Sequence, residues 1–503
     1  MEGVGRNSSN AFTEITGVVI VGAGIAGLGA ARTLEQSNFK DYVLLEAQSQ
    51  VGGRICSVSW NGGDGWLEKG AQFLHGTESP LGKLILEKGL LSDEDGSEGQ
   101  GLFYNEDGIA LKGKVVTEVS DHIKNILEDC EVYSEFHVSQ NRAKDNIGQV
   151  LRRKFKELLL PRNTPEPLKS TREELFDWNV KFIVIDNACT SLNELSVERW
   201  GDYKAVNGPE YGIFNTHYGS VVESIAGELT QENIRLECPV KRVEWDNKVT
   251  SENEKAVKIT LKSGKTIMAD CAIVTCSLGY LKENHYKLFS PPLPQCYTTA
   301  ITSMGFGVIN KVFLDFEEPW WEPKTKGFQF LWSGDKEEDS LRNYTVKNKL
   351  PSWLRDLTGF DVVPTHRAVL LGWIGGKGAE IVETLNEEEI IKDCAQLLRY
   401  FVKDASIPEA SRCLRTCWGS NEYVRGAYCH ITKKCDDCGA SPSVLAEPIC
   451  RKIQCNDGIE KRLPILLLAG EATHPHHYST THGAYDTGVK QAQIFLRDHH
   501  LMY

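Results

Sequence analysis

At 503 residues the chain is long enough for two domains and a sizeable buried core. With 41% hydrophobic and 25% charged residues, extended disorder is excluded as its general state. Against 56 basic residues stand 69 acidic ones, a net charge of −13 that argues against a nucleic-acid-binding surface, and no stretch approaches the roughly 20 apolar residues of a membrane span.

Residues 1–14 are polar, rich in Ser and Gly, and read as a short disordered lead without the apolar centre of a secretory signal. A cytoplasmic location is expected by elimination. Val18–Val21 is an apolar strand that runs into Gly22-Ala23-Gly24-Ile25-Ala26-Gly27, after which Leu28, Ala31 and Leu34 keep a helical period. Tyr42–Leu45 is a second apolar strand, ending at Glu46, which lies 24 residues after Gly22. Glycine permits positive φ at the turn and lets backbone reach a pyrophosphate at the helix N-terminus. An acid at about this spacing takes the ribose hydroxyls of a dinucleotide. All these pieces fall in register, so a dinucleotide-binding unit is predicted. Val51-Gly52-Gly53-Arg54 then offers close backbone approach and an arginine able to neutralise phosphate.

Helical stretches follow at His122 to Asp129 and Arg152 to Leu160. Ile234 to Trp245 and Ala256 to Leu261 alternate like antiparallel strands, Asp270 to Cys276 is a further strand, and Gly279 is expected to begin a turn. Gly305 to Val312 reads as one strand carrying Lys311 into apolar surroundings, where the lysine is either buried or snorkels to solvent. Glu387 to Val402 is an amphipathic helix, with Ile390, Ile391, Cys394, Leu397, Leu398 and Phe401 on one stripe. The 15 cysteines are scattered and expected to be free thiols; Cys435, Cys438, Cys450 and Cys455 are loop thiols, with zinc ligation the lesser alternative because the second pair is too widely spaced. Pro464 to Thr473 is a last buried strand and turn, and Ser479-Thr480-Thr481-His482-Gly483-Ala484 opens a helix suited to an electron-rich ligand edge.

The glycine turn, Val51–Arg54 and the C-terminal strand-turn-helix together resemble the FAD-binding fingerprint of the flavin-containing amine oxidases. Gly70-Ala71-Gln72-Phe73-Leu74-His75-Gly76, Gly305–Val312 and Leu414–Tyr428 extend the resemblance, which is closest to the animal spermine and N1-acetylpolyamine oxidases. It implies an α/β fold: a Rossmann-like FAD-binding domain from the separated segments 15–90, 210–290 and 441–503, and an α+β substrate domain from insertions 91–209 and 291–440. The activity implied is oxidation of spermine or N1-acetylated polyamines by hydride transfer to non-covalent FAD, with dioxygen as acceptor and hydrogen peroxide and an aminoaldehyde as products. Lys311 and His75 would be catalytic. Gly22, Gly24, Ala26, Gly27, Glu46, Gly53, Arg54, Gly70, Ala71, Gln72, Phe73, Val240, Gly470, Glu471, Thr480 and Thr481 would hold the cofactor. Trp418 and Tyr423 would flank its ring system. His75, Asp202, Tyr428 and Thr480 would face the amine. No metal, nucleic acid or membrane is expected, and the state is a monomer or weak dimer.

Two departures stand out. His474-Pro475-His476-His477-Tyr478 replaces a basic residue and an aromatic usual in polyamine oxidases, and Lys204 stands close to Asp202, where it would oppose a polycation. The competing readings are a protein methyl-lysine or monoamine oxidase and a flavin-binding protein without turnover. The first lacks its long helical insertion here, and the second its flavin-linking Cys between Tyr478 and Ala484.

Overall fold

A computed structural model describes residues 13–60, 62, 65–136, 145–161, 163–248, 254–334, 350–454 and 460–499. Most of the expected disordered lead, and Cys455, lie outside the described residues. The lead is shorter than expected at its end: Glu14 already belongs to the first strand, where its carboxylate pairs with Arg235.

Glu14–Val21 lies inside a nine-stranded sheet. It runs parallel to Tyr42–Leu45 on one side and Thr266–Val274 on the other, and Glu460–Leu468 runs parallel to the latter. The inner parts of these strands are near-continuous buried apolar runs, as parallel strands covered on both faces must be. The helix Ile25–Gln36 packs against the C-terminal helix Thr481–Asp498 so closely that a Cβ at Gly29 would lie 2.9 Å from the Tyr485 ring. Residues 14–45 and 460–498, far apart in sequence, thus form one layered unit.

Four sequence expectations are corrected. Cys435 and Cys438 lie in the short helix Lys433–Cys438, where Cys435 is buried, and Cys450 in the strand Ile449–Gln454, rather than in loops. Ile234 to Trp245 is two strands: Ile234–Arg235 pairs with Tyr42–Leu45, and Val240–Trp245 pairs with Val257–Leu261. Glu237 at φ 53° and the donor-less Pro239 break the ladder between them. Gly279 lies inside the helix Leu278–Leu288, whose N-cap is Ser277, rather than opening a turn. Gly305 to Val312 is likewise broken, into Gly305–Phe306 and Asn310–Asp315. The break coincides with a close approach at Gly307, where a Cβ would lie 2.0 Å from the Ala188 carbonyl.

A second, six-stranded sheet runs in the order Arg412–Arg415, Asn310–Asp315, Val369–Ile374, Gly359–Val362, Gly327–Leu331, Leu102–Asn105. Its last pair is parallel and joins residues near 100 to residues near 330. Glu387–Val402 is the amphipathic helix, closed by an Asn386/Glu389 capping box, with Ile390, Cys394, Leu397, Leu398 and Phe401 buried. Among the described residues no helix is long and apolar enough to cross a membrane.

Candidate active site

The C-terminal ends of the parallel strands carry the dinucleotide turn. Gly22 has φ 103°, and at Gly27 a Cβ would meet the Gly22 carbonyl at 1.9 Å, so neither position admits a side chain. Gly24 caps the helix with backbone alone, and its first turn holds no acid, so the donors of the turn at Ala26 and Gly27 have no side-chain cap. Glu46 is buried and accepts from the N–H of Ala23 (2.8 Å) and of Gln48 (2.9 Å), which fixes a carboxylate beside that turn. A glycine cradle, an uncapped helix N-terminus and an adjoining acid fit a dinucleotide.

Arg54 reaches across the cleft. Its Nη1 donates to the Ala427 carbonyl (2.8 Å) and to Glu471 (2.9 Å), whose other oxygen accepts from Ser479 N (3.0 Å) and Cys429 N (3.3 Å). Arg54, Gly470 and Glu471 line a hollow with the strand ends Val274 and Leu468. Gly53 (φ 59°) and Gly470 (φ 130°) take conformations that side chains disfavour.

Lys311 is the organising side chain. Only 2% of it is exposed, and its Nζ donates to the carbonyls of Glu68 and Gly70 and to Gln72 Oε1, each at 2.8 Å. That settles the choice between burial and snorkelling. Burial holds its pKa down to about 7, partly opposed by Glu68 and Glu98. Trp418 serves the same strip, donating from Nε1 to Lys69 O at 2.9 Å, and its ring carbon lies 3.3 Å from where a Gly70 Cβ would stand. That Cβ would also lie 1.8 Å from the Arg54 carbonyl, from which Ala71 N is 3.0 Å. Gly70, Ala71 and Gln72 thus form a strip between Arg54 and Lys311, with buried Phe73 next in chain.

His75 donates from Nδ1 to the Glu210 carbonyl at 2.6 Å, because a carbonyl only accepts, and Nε2 of the neutral ring is then a lone pair. Tyr211 stands edge-on to it at 5.9 Å. Tyr428 donates to Ile185 O at 2.7 Å, next to Asp186. Asp186 is exposed and Glu98 half-buried, and each has protein packed densely about its carboxyl group. Burial raises both carboxyls, and Asp361, Asp186 and Glu210 push Glu98 further up while Lys311 pulls it down. Asp361 is raised to about 7 by burial while accepting from Gly99 N (3.1 Å) and Gln329 (3.0 Å). Glu98, Asp186 and Asp361 were missed from sequence: Glu98 sits in an acidic run that reads as surface, and Asp186 ends a helix.

Other nominated residues lie differently. Asp202 pairs with Arg199 at 2.6 Å and Lys204 with Glu135, so both charges of that departure are already engaged within the protein. Thr480 caps the C-terminal helix, accepting from Gly483 N at 3.0 Å and donating to His477 O at 2.7 Å, and the Thr481 hydroxyl meets Tyr218. Tyr423 sits apart from Trp418: Lys262 Nζ donates to the Tyr423 hydroxyl at 3.3 Å, and the backbone N–H of Lys262 donates to Pro239 O, next to Val240. Nearby Asn421 reaches Gln48. Tyr423 and Val240 are therefore at the Glu46 end of the cleft, and Trp418 is at the Lys311 end. Among the described residues no group of three His, Cys, Asp or Glu side chains is arranged to hold a metal ion.

The model of the flavin containing amine oxidoreductases matches residues 25–496. The peroxisomal N(1)-acetyl-spermine/spermidine oxidases of Bos taurus and Homo sapiens are each 30% identical to this chain, with 95% of the chain and 94% of each relative covered. A putrescine oxidase solved with putrescine shares the fold at a TM-score of 0.70, with 18% identity, covering 97% of this chain and 100% of that one.

Proposed function

The chain belongs to the flavin-containing amine oxidoreductases, and from that premise we propose that it is an FAD-dependent polyamine oxidase that uses dioxygen as acceptor. The observation that carries this reading is a buried Lys311 Nζ held by Glu68 O, Gly70 O and Gln72 Oε1, with Glu98 in electrostatic reach of it and Asp186 in reach of both Glu98 and His75. A polyamine needs both. Its reacting nitrogen must be neutral, while its remaining nitrogens arrive as ammonium groups that acids can align. The similarity to N(1)-acetyl-spermine/spermidine oxidases over nearly the whole of both chains supports the same substrate class.

Gly22, Gly24, Gly27, Glu46, the Arg54–Glu471 pair, Thr480 and Lys311 would hold the FAD without a covalent bond. When bound, FAD supplies acceptance of a hydride from the carbon beside nitrogen and passage of two electrons to dioxygen, giving peroxide. The protein's part is positional and protonic. His75 Nε2 accepts a hydrogen bond from the reacting amine and is placed to take up the proton that leaves it neutral. Lys311, anchored by three acceptors, gives and regains a proton near the strip of residues 68–72. Tyr428 walls the methylene chain. The iminium product then adds water and releases an aminoaldehyde.

The test is peroxide release with spermine, N1-acetylspermine, spermidine, putrescine and benzylamine measured in parallel. Spermine or its acetylated form should exceed putrescine and benzylamine by at least about 100-fold in kcat/KM, roughly 2.7 kcal/mol. Equal turnover of benzylamine would replace this reading with a monoamine oxidase.

A further inference from the structure

A pocket of about 280 Å³ lies between residues 78–80, residues 205–207 and the start of the C-terminal helix. Lys311 does not line it, nor do the strand ends of the cofactor cleft. It is edged by Glu78, Asn207, His477, His482 and Asp486. His482 is only 1% exposed, and neither ring nitrogen has a partner. Buried polar groups are almost always satisfied, so an imidazole that edges a pocket with both nitrogens unmet points to something bound there.

The neighbouring hydrogen bonds determine what that ligand is. His474 Nδ1 accepts from the N–H of His476 (3.1 Å) and of His477 (2.7 Å), which leaves its proton on Nε2, where it donates to Asp486 at 3.2 Å. His477 Nδ1 donates to Lys204 O at 2.8 Å, so Nε2 of the neutral ring is an acceptor. His482 and Asp486 stand one turn apart on the same helix face. Glu78 accepts from Asn207 at 2.8 Å and lines the pocket. His482 feels His477, His75, His474 and Asp486, and burial keeps both His477 and His482 uncharged. Of the nearby cations, Lys204 pairs with Glu135, and Lys490 does not line the pocket. The lining thus presents His477 Nε2, one nitrogen of the neutral His482 ring and the Asp486 carboxylate as acceptors, three in number like the N–H donors of an ammonium group.

We propose that this pocket binds the ammonium group of a small primary amine, at a site separate from the reacting one, with His477, His482 and Asp486 as acceptors. The probe is 4-bromobenzylammonium soaked into crystals of the holoenzyme at pH 8, located by the anomalous signal of bromine. A bromine peak in this pocket is expected, lost or at least tenfold weaker in His482→Leu and in Asp486→Asn. If His482→Leu does not fold, Asp486→Asn carries the comparison. Water alone in the wild-type pocket, or an undiminished peak in the variants, overturns the proposal. Spermine turnover by the wild-type enzyme is measured separately, so a failure of the polyamine reading and a failure of this one give different results.

Discussion

Trp373 stands directly across from Lys311 on the neighbouring antiparallel strand, and the Lys311 Nζ lies 4.2 Å from the centre of its ring. The negative ring face favours the charged amine, against the burial that disfavours it. Removing the ring in Trp373→Leu should therefore lower the Lys311 pKa below its value of about 7. A cation–π contact of about 1–2 kcal/mol corresponds to roughly 0.7–1.5 pH units. The acid limb of flavin reduction or reoxidation, followed by absorbance, should move to lower pH by that amount. A limb that stays in place would detach Lys311 from the reaction.

Lys311→Met should leave flavin bound and slow one half-reaction about 10- to 1000-fold, roughly 1.4–4 kcal/mol of barrier. It should also change how stability depends on pH. Below about 7 the folded and unfolded chains both carry the proton, and the folded state bears the full penalty of a buried charge. Between about 7 and 10.5 the unfolded chain binds the extra proton, so wild-type stability rises with pH through that window. The Met variant lacks this contribution. Its Tm advantage over wild type should be largest below pH 7 and shrink toward pH 10.

Asp186→Asn tests the acidic pair Asp186 and Glu98. Burial raises the Asp186 carboxyl, and an arriving ammonium restores its charged form. Spermine should lose at least about tenfold in kcat/KM, about 1.4 kcal/mol, while a monoamine changes little. Asp202→Asn should cost under threefold, because Arg199 already occupies that carboxylate. A larger effect at Asp202 than at Asp186 would move the distal amine site to Asp202.

Flavin should leave the protein on acid precipitation. The segment Tyr478 to Ala484 that opens the C-terminal helix carries no cysteine, and the buried Cys429 nearby is engaged with Ser479 at 3.8 Å. Yellow colour retained by the denatured chain would refute non-covalent binding.

The cofactor unit was legible because its signals are local. The run from Gly22 to Gly27 needs small residues within one turn, and Tyr42–Leu45 ends on its acid a few positions on. Lys311 was legible as a site by resemblance, but its burial depended on acceptors from residues 68–72, about 240 positions away. Glu98 and Asp186 left no such trace. Their chemistry comes from enclosure by segments that meet only in the folded chain, and nothing in an acidic run or a helix end encodes enclosure. Asp202 shows the converse. Its type and position were apt, and an arginine three residues earlier neutralises it. Gly279 misled for a related reason: it is accommodated in a helix by contact with the Phe306 ring and the Val424 and Arg425 carbonyls, all distant in sequence.

The Arg54–Glu471 pair spans 417 positions, and Glu460–Leu468 completes the sheet only by pairing with Thr266–Val274. A chain leaving the ribosome exposes its glycine turn first and the other wall of the cleft last. During that interval the inner strands have an open edge and no place for a cofactor to be clamped. Loading of a flavin would thus wait for the finished polypeptide, because both residues of the Arg54–Glu471 clamp must be present to close on it. A cell short of riboflavin would accumulate full-length, colourless protein, held back at its last step of maturation rather than in its synthesis.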